Sequence, residues 1–260
     1  MNPIFIYENV NNATLTASAG SATNYPLTNL QDDRYATQWK SGAKTQNQTL
    51  TAQFSSAINM DCVLICNHNF ASLGITLLRI EYSNYGDDWF EVAIVASYTD
   101  PLFVSFTSAS KAYIRLTFYK SGQLNVEPQI GMLYIGKAIE MPLYANNPER
   151  GVSSDAVVAE SLSGLKYSSS LHGVREQWKL DFAKCPTSSL YSFMKLIVGV
   201  NGMQYPFWFR DMDGNWHFVR FKKNYLPFVG VGNVNFPFKG IELEEERVGN
   251  TINLPGNYSI

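Results

Sequence analysis

Few side chains in this sequence could bind a metal ion, and their spacing does not suit a common site. Cys62, Cys66 and His68 are the closest set of such ligands, and they fall in a β-branched, apolar run that predicts a strand. Four residues along a strand span about 13 Å, which is too far for one ion or one disulfide to join both sulfur atoms. We therefore predict buried free thiols, and Cys185 has no nearby cysteine to pair with.

Motifs for catalysis are missing from the sequence. None of the three histidines occurs at metal-ligand spacing or with a nucleophile elbow, and no glycine-rich phosphate loop is present. A glycosidase needs two placed carboxylates, and nothing in the sequence marks such a pair. We therefore expect that the protein is not an enzyme and that it carries no catalytic cofactor.

Two acidic turns are candidate cation sites. Asp32 and Asp33 could hold a structural Ca²⁺ ion, because hard cations prefer carboxylate and carbonyl oxygens, and a solvated turn is the alternative. The sequence Asp-Met-Asp-Gly-Asn at 211–215 begins like a calcium loop. It lacks the later ligands and the distal bidentate glutamate, so we predict a hairpin turn there.

Aromatic residues form 14% of the chain, which favours strands and large contact surfaces. Trp39 and Trp89 could stack on the C–H face of a sugar, or they could fill or border a core. A second set of aromatic residues alternates along a predicted hairpin. These residues could form a core, or they could form a subunit interface. These candidate interface residues are Tyr205, Phe207, Trp208, Phe209 and Trp216.

Composition narrows the class of partner. The net charge is −2 and the lysines and arginines form no stripe, so we expect no nucleic-acid readout. No apolar run approaches the roughly 20 residues that cross a bilayer, and no secretory signal is evident. Charged residues make up only 16% of the chain, which favours permanent protein contacts over a free surface.

Strands must position these residues. Short strand signals recur about every ten residues through the first half, separated by turns rich in Gly, Asn, Asp and Pro. The clearest alternation is 113–119, where Ile114, Leu116 and Phe118 should face a core. This pattern predicts a jelly-roll β-sandwich over residues 1–142.

The second half, 143–260, predicts a different domain. An extended arm over about 143–172 leads into a small β-barrel. Start signals follow Pro186, the apolar residues Leu190, Met194 and Ile197 recur at helical spacing, and Gly199 stops the run, which predicts one flanking helix at about 187–199. The sequence thus predicts an all-β-dominated chain in which a jelly-roll β-sandwich precedes a small barrel.

Four segments, in order, resemble a discoidin-like (galactose-binding-like) domain. They are Ala22–Arg34 with Trp39, Glu81–Trp89, Lys111–Leu116 and Ile130–Gly136. This resemblance implies a module that recognises a host cell-surface glycan, and a structural ion near Asp32.

The second half resembles the distal tail and tail-tip proteins of long-tailed bacteriophages. The resemblance is carried by the strand Trp178–Phe182, the predicted helix, the hairpin that starts at Tyr205 and the acidic strand Gly240–Glu246. It implies a structural protein of a tail tip or baseplate, which forms a homo-oligomeric ring as a hexamer or trimer. It further implies contacts with tube, hub and tip subunits and a place in the virion tail after assembly in the host cytoplasm.

We take the tail-tip role as the main expectation and a carbohydrate-binding module as its alternative.

Overall fold

The structure is a computed structural model that describes residues 1–8, 10–144, 148–160, 166–223 and 235–246. It divides into two compact units. The first unit is Ile6–Ile139, and the second unit is Met1–Phe5 together with Glu140–Ile260. Strands dominate both units, which confirms the predicted all-β class with a β-sandwich.

Nine strands and one short α-helix lie among the described residues up to 140. They are β1 (Ile4–Ile6), β2 (Ala13–Ala17), β3 (Trp39–Lys40), β4 (Gln48–His68), β5 (Leu77–Ser83), β6 (Phe90–Val95), β7 (Leu102–Tyr119), β8 (Gln129–Gly136) and β9 (Ile139–Glu140), with the short helix α1 (Phe70–Leu73) after β4. The later elements are β10 (Glu149–Glu160), β11 (Lys166–Pro186), the helix α2 (Thr187–Gly199), β12 (Phe207–Arg210), β13 (Trp216–Phe221) and β14 (Asn235–Glu245).

The first unit is built around the long strands β4 and β7. Its sheet runs β3-β8-β4-β7-β5-β6, and β2 pairs with β4. The register of β4 against β7 shifts between Gln53 and Ile58 and again between Met60 and Cys62. Such bulges bend a strand, and they let one pair of strands serve both layers of a sandwich.

The alternation predicted for β7 is present in the structure. Ile114, Leu116 and Phe118 lie in the core, whereas Arg115 and Thr117 point away from it. β5 pairs antiparallel with β7 and places Glu81 opposite Arg115. Residues that are far apart in sequence therefore share the outward face of this sheet.

The second unit contains a sheet in the order β10-β11-β14-β13-β12-β1-β9. Its core includes Phe5 of β1, whose ring stacks at 5.0 Å on Phe209 and meets Phe193 of α2 edge-on at 5.2 Å. The N-terminal strand thus supplies core to the second unit, although the sequence assigned 1–142 to the first domain. Closure of this sheet into a barrel stays a prediction.

The helix expected at about 187–199 is α2. Its buried residues are Leu190, Phe193 and Leu196, whereas the sequence pattern had used Met194, which is largely exposed. Within the ranges that the structure describes, no helix is long and apolar enough to span a membrane.

Candidate functional site

Trp39 lies in the core of the first unit. Its side chain is 1% exposed, and its indole Nε1 donates a hydrogen bond to Ser21 Oγ at 3.1 Å. Strand β3 holds it opposite Ile130 of β8. Stacking on a sugar, one of the two roles that the sequence allowed, does not fit this position, because both ring faces are covered by protein.

Trp89 occupies a different environment, at the end of the loop that joins β5 to β6. It is half-buried and lies over the outward face of β7. Its ring meets the Tyr113 ring edge-on at 6.5 Å, and the guanidinium carbon of Arg115 lies 4.0 Å from its centroid. A partly open indole beside a second aromatic ring is suited to stacking on an apolar ligand face.

The β5–β6 loop is folded by local hydrogen bonds. Ser83 Oγ accepts hydrogen bonds from the amides of Tyr85 at 3.2 Å and Gly86 at 2.9 Å. Gly86 has a φ of +87°, and a Cβ there would lie 3.0 Å from the Tyr113 ring. This glycine therefore permits both the turn and the close approach of the loop to β7.

A charged network lies beneath Trp89. Arg115 donates from Nε to Glu81 Oε2 at 2.9 Å and from Nη2 to Oε1 at 3.0 Å, and Thr117 Oγ1 donates to Oε2 at 2.7 Å. Partial burial opposes ionisation of Glu81. The hydrogen bonds from Arg115 and Thr117, together with the charges of Arg115 and Arg79, outweigh it, so the pKa of Glu81 lies below its ordinary value.

Exposed aromatic residues lie along the same hairpin. Tyr85 is 82% exposed and Phe90 is 59% exposed, and the Tyr82 ring carries the Lys111 ammonium 4.9 Å from its centroid. We call the group of Tyr85, Trp89 and Tyr113, which lie in the β5–β6 loop and on the outward face of β7, the hairpin patch. The exposed carboxylates of Asp87 and Asp88 lie in the same loop. The patch offers aromatic surfaces for stacking and charged groups for hydrogen bonds.

The candidate calcium residues lie in a hydrogen-bonded turn. The Thr37 hydroxyl lies 2.9 and 2.8 Å from the two carboxylate oxygens of Asp32, and the Arg34 amide donates to Oδ1 at 3.0 Å. Asp33 has a φ of 52°, and its Oδ1 accepts a hydrogen bond from Tyr134 at 3.3 Å. Among the residues that the structure describes, no three His, Cys, Asp or Glu side chains form a group that could hold a metal ion. Calcium at Asp32 and Asp33 stays untested, and the hydrogen bonds that Asp32 already accepts favour the alternative of a solvated turn.

The three cysteines are buried free thiols, as predicted. Burial raises the pKa of the Cys62 and Cys66 thiols above the ordinary value. His68 stacks on Phe70 at 4.1 Å, and its Nε2 lies 2.9 Å from the Thr99 carbonyl oxygen. The burial of the thiols and the contacts of His68 indicate structural roles for the three cysteines and for this histidine.

Most of the aromatic residues proposed for an interface belong to the core of the second unit. Phe207, Trp208 and Phe209 are buried there, because the first three residues of this four-residue strand are all covered by protein, and not only alternate ones. Tyr205 is 46% exposed, and Trp216 is half-buried with the Arg210 guanidinium 5.5 Å from its ring centroid. The interface assignment is therefore corrected for the three buried residues and stays a prediction for Tyr205 and Trp216.

Asp211 anchors the turn between β12 and β13. Its side chain is 1% exposed, and it receives hydrogen bonds from Arg150 Nη2 at 2.9 Å and from the Asn215 amide at 2.9 Å, with His217 Nε2 3.2 Å away. Arg150 also contacts Asp213 at 2.9 Å. The guanidinium thus lies between the two carboxylates, which supports the predicted hairpin turn. No local pattern predicts the role of Arg150, because this residue comes from a strand that is 61 positions away from Asp211.

Comparison with known proteins bears on the first unit. Residues 14–127 match the F5/8 type C domain family, which confirms the discoidin-like resemblance over that range. No curated protein matches the chain. The patch residues from Tyr85 to Tyr113 all fall within the matched range.

Three crystal structures of carbohydrate-binding modules illustrate the similarity. Chitosan-binding module 1 of a chitosanase/glucanase from Paenibacillus sp. IK-5 is 17% identical, with a TM-score of 0.42, over 50% of this chain and 99% of that one. A pectin-binding module is 20% identical, with a TM-score of 0.39, over 48% and 89% of the two chains. The family 32 module of Clostridium perfringens NanJ in complex with galactose is 19% identical, with a TM-score of 0.41, over 51% and 98%.

Proposed function

We propose that this chain is a carbohydrate-binding protein, and that the hairpin patch of its first unit recognises a cell-surface glycan. The observation that carries the proposal is the half-buried Trp89 ring beside Tyr113, with the exposed Tyr85 ring in the same loop. The F5/8 type C match supports it, because residues 14–127 include the whole patch. The proposed function has no bond-making step.

The physical basis is the apolar C–H face of a pyranose ring. Covering about 100 Å² of apolar surface contributes about 2.5 kcal/mol, and one aromatic ring provides an area of that size. Large exposed aromatic residues are otherwise costly on a monomer surface, and they mark binding sites when they cluster. Polar groups at the rim, such as Asp87 and Asp88, then orient the sugar hydroxyls.

A glycan panel tests the proposal. The intact chain, Trp89→Ala and Tyr25→Ala are applied to immobilised glycans, and circular dichroism verifies that each variant is folded. Tyr25 is a matched control, because it is an exposed aromatic residue of the same unit outside the patch. We expect Trp89→Ala to lose about tenfold in affinity and Tyr25→Ala to bind like the wild type. A wild type that binds no glycan, or a Trp89→Ala variant that binds equally well, would contradict the proposal.

The tail-tip role stays a prediction. Three of the residues expected at its aromatic interface, Phe207, Trp208 and Phe209, lie in the core of the second unit. The homo-oligomeric ring, the contacts with tube, hub and tip subunits and the location in a virion tail have no support in the matches reported above. Mass measurement of the purified chain over a range of concentrations tests the ring directly.

A further inference from the structure

One face of the Trp89 indole is already in contact with protein. The Arg115 guanidinium carbon lies 4.0 Å from the ring centroid, which is the distance of direct stacking. A ligand that stacks on Trp89 must therefore use the remaining surface of the ring. Arg115 is itself held by the carboxylate of Glu81 through two hydrogen bonds.

We infer that Glu81 and Arg115 are positioning residues: they hold the Trp89 ring in one orientation, so that a glycan stacks on a single face of the indole. The glycan in this inference rests on the proposed function. The positioning of Trp89 by Glu81 and Arg115 rests on the contacts alone. Neither residue needs to touch the sugar. Their effect acts through the tryptophan.

The geometry of the pair favours this role. Two parallel hydrogen bonds between a guanidinium and a carboxylate fix the plane of the guanidinium, and an indole stacked on that plane adopts a defined tilt. The Thr117 hydroxyl, 2.7 Å from Glu81 Oε2, fixes the carboxylate from the next position on the same face. The side chains of Arg115 and Glu81 are 24% and 12% exposed, so solvent competes weakly for their hydrogen bonds.

The location of the network separates it from the core. Glu81, Arg115 and Thr117 lie on the outward face of β5 and β7, whereas the neighbours Ile80, Ile114 and Leu116 fill the core on the other face. Trp89 is the aromatic ring stacked on this network, which points to orientation of the ring as its consequence.

A fixed ring lowers the cost of binding. A mobile side chain loses conformational freedom when a ligand immobilises it, and this loss weakens binding by about threefold to tenfold for one side chain. Glu81→Gln removes the charge that holds Arg115 and should release the indole. We therefore expect affinity for the glycans of the panel to fall by about threefold to tenfold in Glu81→Gln.

The test measures the Trp89 ring itself. Relaxation of the indole Nε1–H signal by NMR gives an order parameter, which we expect to be near 0.85 in the wild-type protein and below about 0.6 in Glu81→Gln. The control is Glu91→Gln, which removes a carboxylate 3.4 Å from Arg79 in the same sheet. It should leave the indole rigid. Arg115→Lys keeps the charge without the planar fork and should give an intermediate order parameter.

The outcomes distinguish the two proposals. A released indole in Glu81→Gln, together with weaker panel binding by a variant that is still folded at the temperature of the assay, supports the inference. An indole as rigid in Glu81→Gln as in the wild type overturns it, whatever the panel shows. If the indole is released but the wild type binds no glycan in the panel, the proposed function fails and the positioning of Trp89 by Glu81 and Arg115 stands.

Discussion

The sequence allows the same two roles for Trp39 and Trp89, but the structure predicts that replacement by alanine destabilises the fold strongly at Trp39 and weakly at Trp89. Trp39→Ala empties a fully buried site, and large aromatic-to-alanine changes of this kind cost about 3–5 kcal/mol. Loss of the hydrogen bond from its indole to Ser21 adds about 1 kcal/mol. Trp89→Ala removes a half-buried ring and its stacking with Arg115, for which we expect a loss of only about 0.5–2 kcal/mol.

Urea unfolding of the intact chain measures this contrast. With a slope of about 2 kcal/mol per molar urea, the midpoint of the first unit should fall by about 2–3 M in Trp39→Ala and by less than about 1 M in Trp89→Ala. Trp39→Phe is the matched control, because it retains most of the buried volume. Equal losses in the two alanine variants would refute the assignment of Trp39 to the core and of Trp89 to the surface.

Three further predictions concern other parts of the chain. Asp211→Asn should lower the free energy of unfolding of the second unit by about 2 kcal/mol at neutral pH, because the bonds from Arg150 and His217 lose a charged acceptor. Burial opposes ionisation of Asp211, but hydrogen bonds from Asn215 and His217 hold its pKa below the ordinary value. Its stabilisation is therefore present above an unfolded pKa of about 3.9 and is lost as the pH falls through the folded pKa, so acid titration of wild type and variant should converge. A thiol reagent should label none of the three buried cysteines in the native chain and all of them after unfolding; labelling of the folded chain would contradict their burial. Millimolar Ca²⁺ should leave the thermal midpoint unchanged, because Thr37 already bonds the Asp32 carboxylate, and a rise that Asp32→Asn abolishes would establish a calcium site.

Local patterns were sufficient to predict much of the fold. The alternation at 113–119 identified Ile114 and Leu116 as core residues, because period-2 side-chain directions follow from strand geometry alone. The helix at Thr187–Gly199 was marked by the start signals after Pro186 and by the stop at Gly199. The face of this helix that is buried could not be predicted from the pattern. Met194 and Phe193 are both apolar, and which of them is buried depends on which side of the helix contacts the sheet.

The parts that could not be predicted depend on pairing over long distances. Strand β1 joins the sheet of the second unit, and no local signal tells Ile4–Ile6 which sheet it will extend. The same holds for the network under Trp89. Glu81 and Arg115 are 34 positions apart, and only the register of β5 against β7 places them opposite each other.

The candidate site was predicted in part. Trp89 was selected by its residue type and loop position, but Trp39 had the same signal and lies in the core. Exposure separates the two residues, and exposure is a property of the packed sheet and not of the local sequence. The exposed ring of Tyr85 was not predicted, because a single tyrosine among the polar residues and glycine of a turn gives no sign of a binding site.

The most direct test of the account observes the indole signals during a glycan titration. The chain has five tryptophans, and Trp→Phe variants assign their Nε1–H signals in ¹H–¹⁵N spectra. If the hairpin patch binds the glycan, the Trp89 signal shifts with added ligand and the Trp39 signal remains in place. A shift at another tryptophan with Trp89 unmoved, or no shift with any glycan of the panel, would contradict the account.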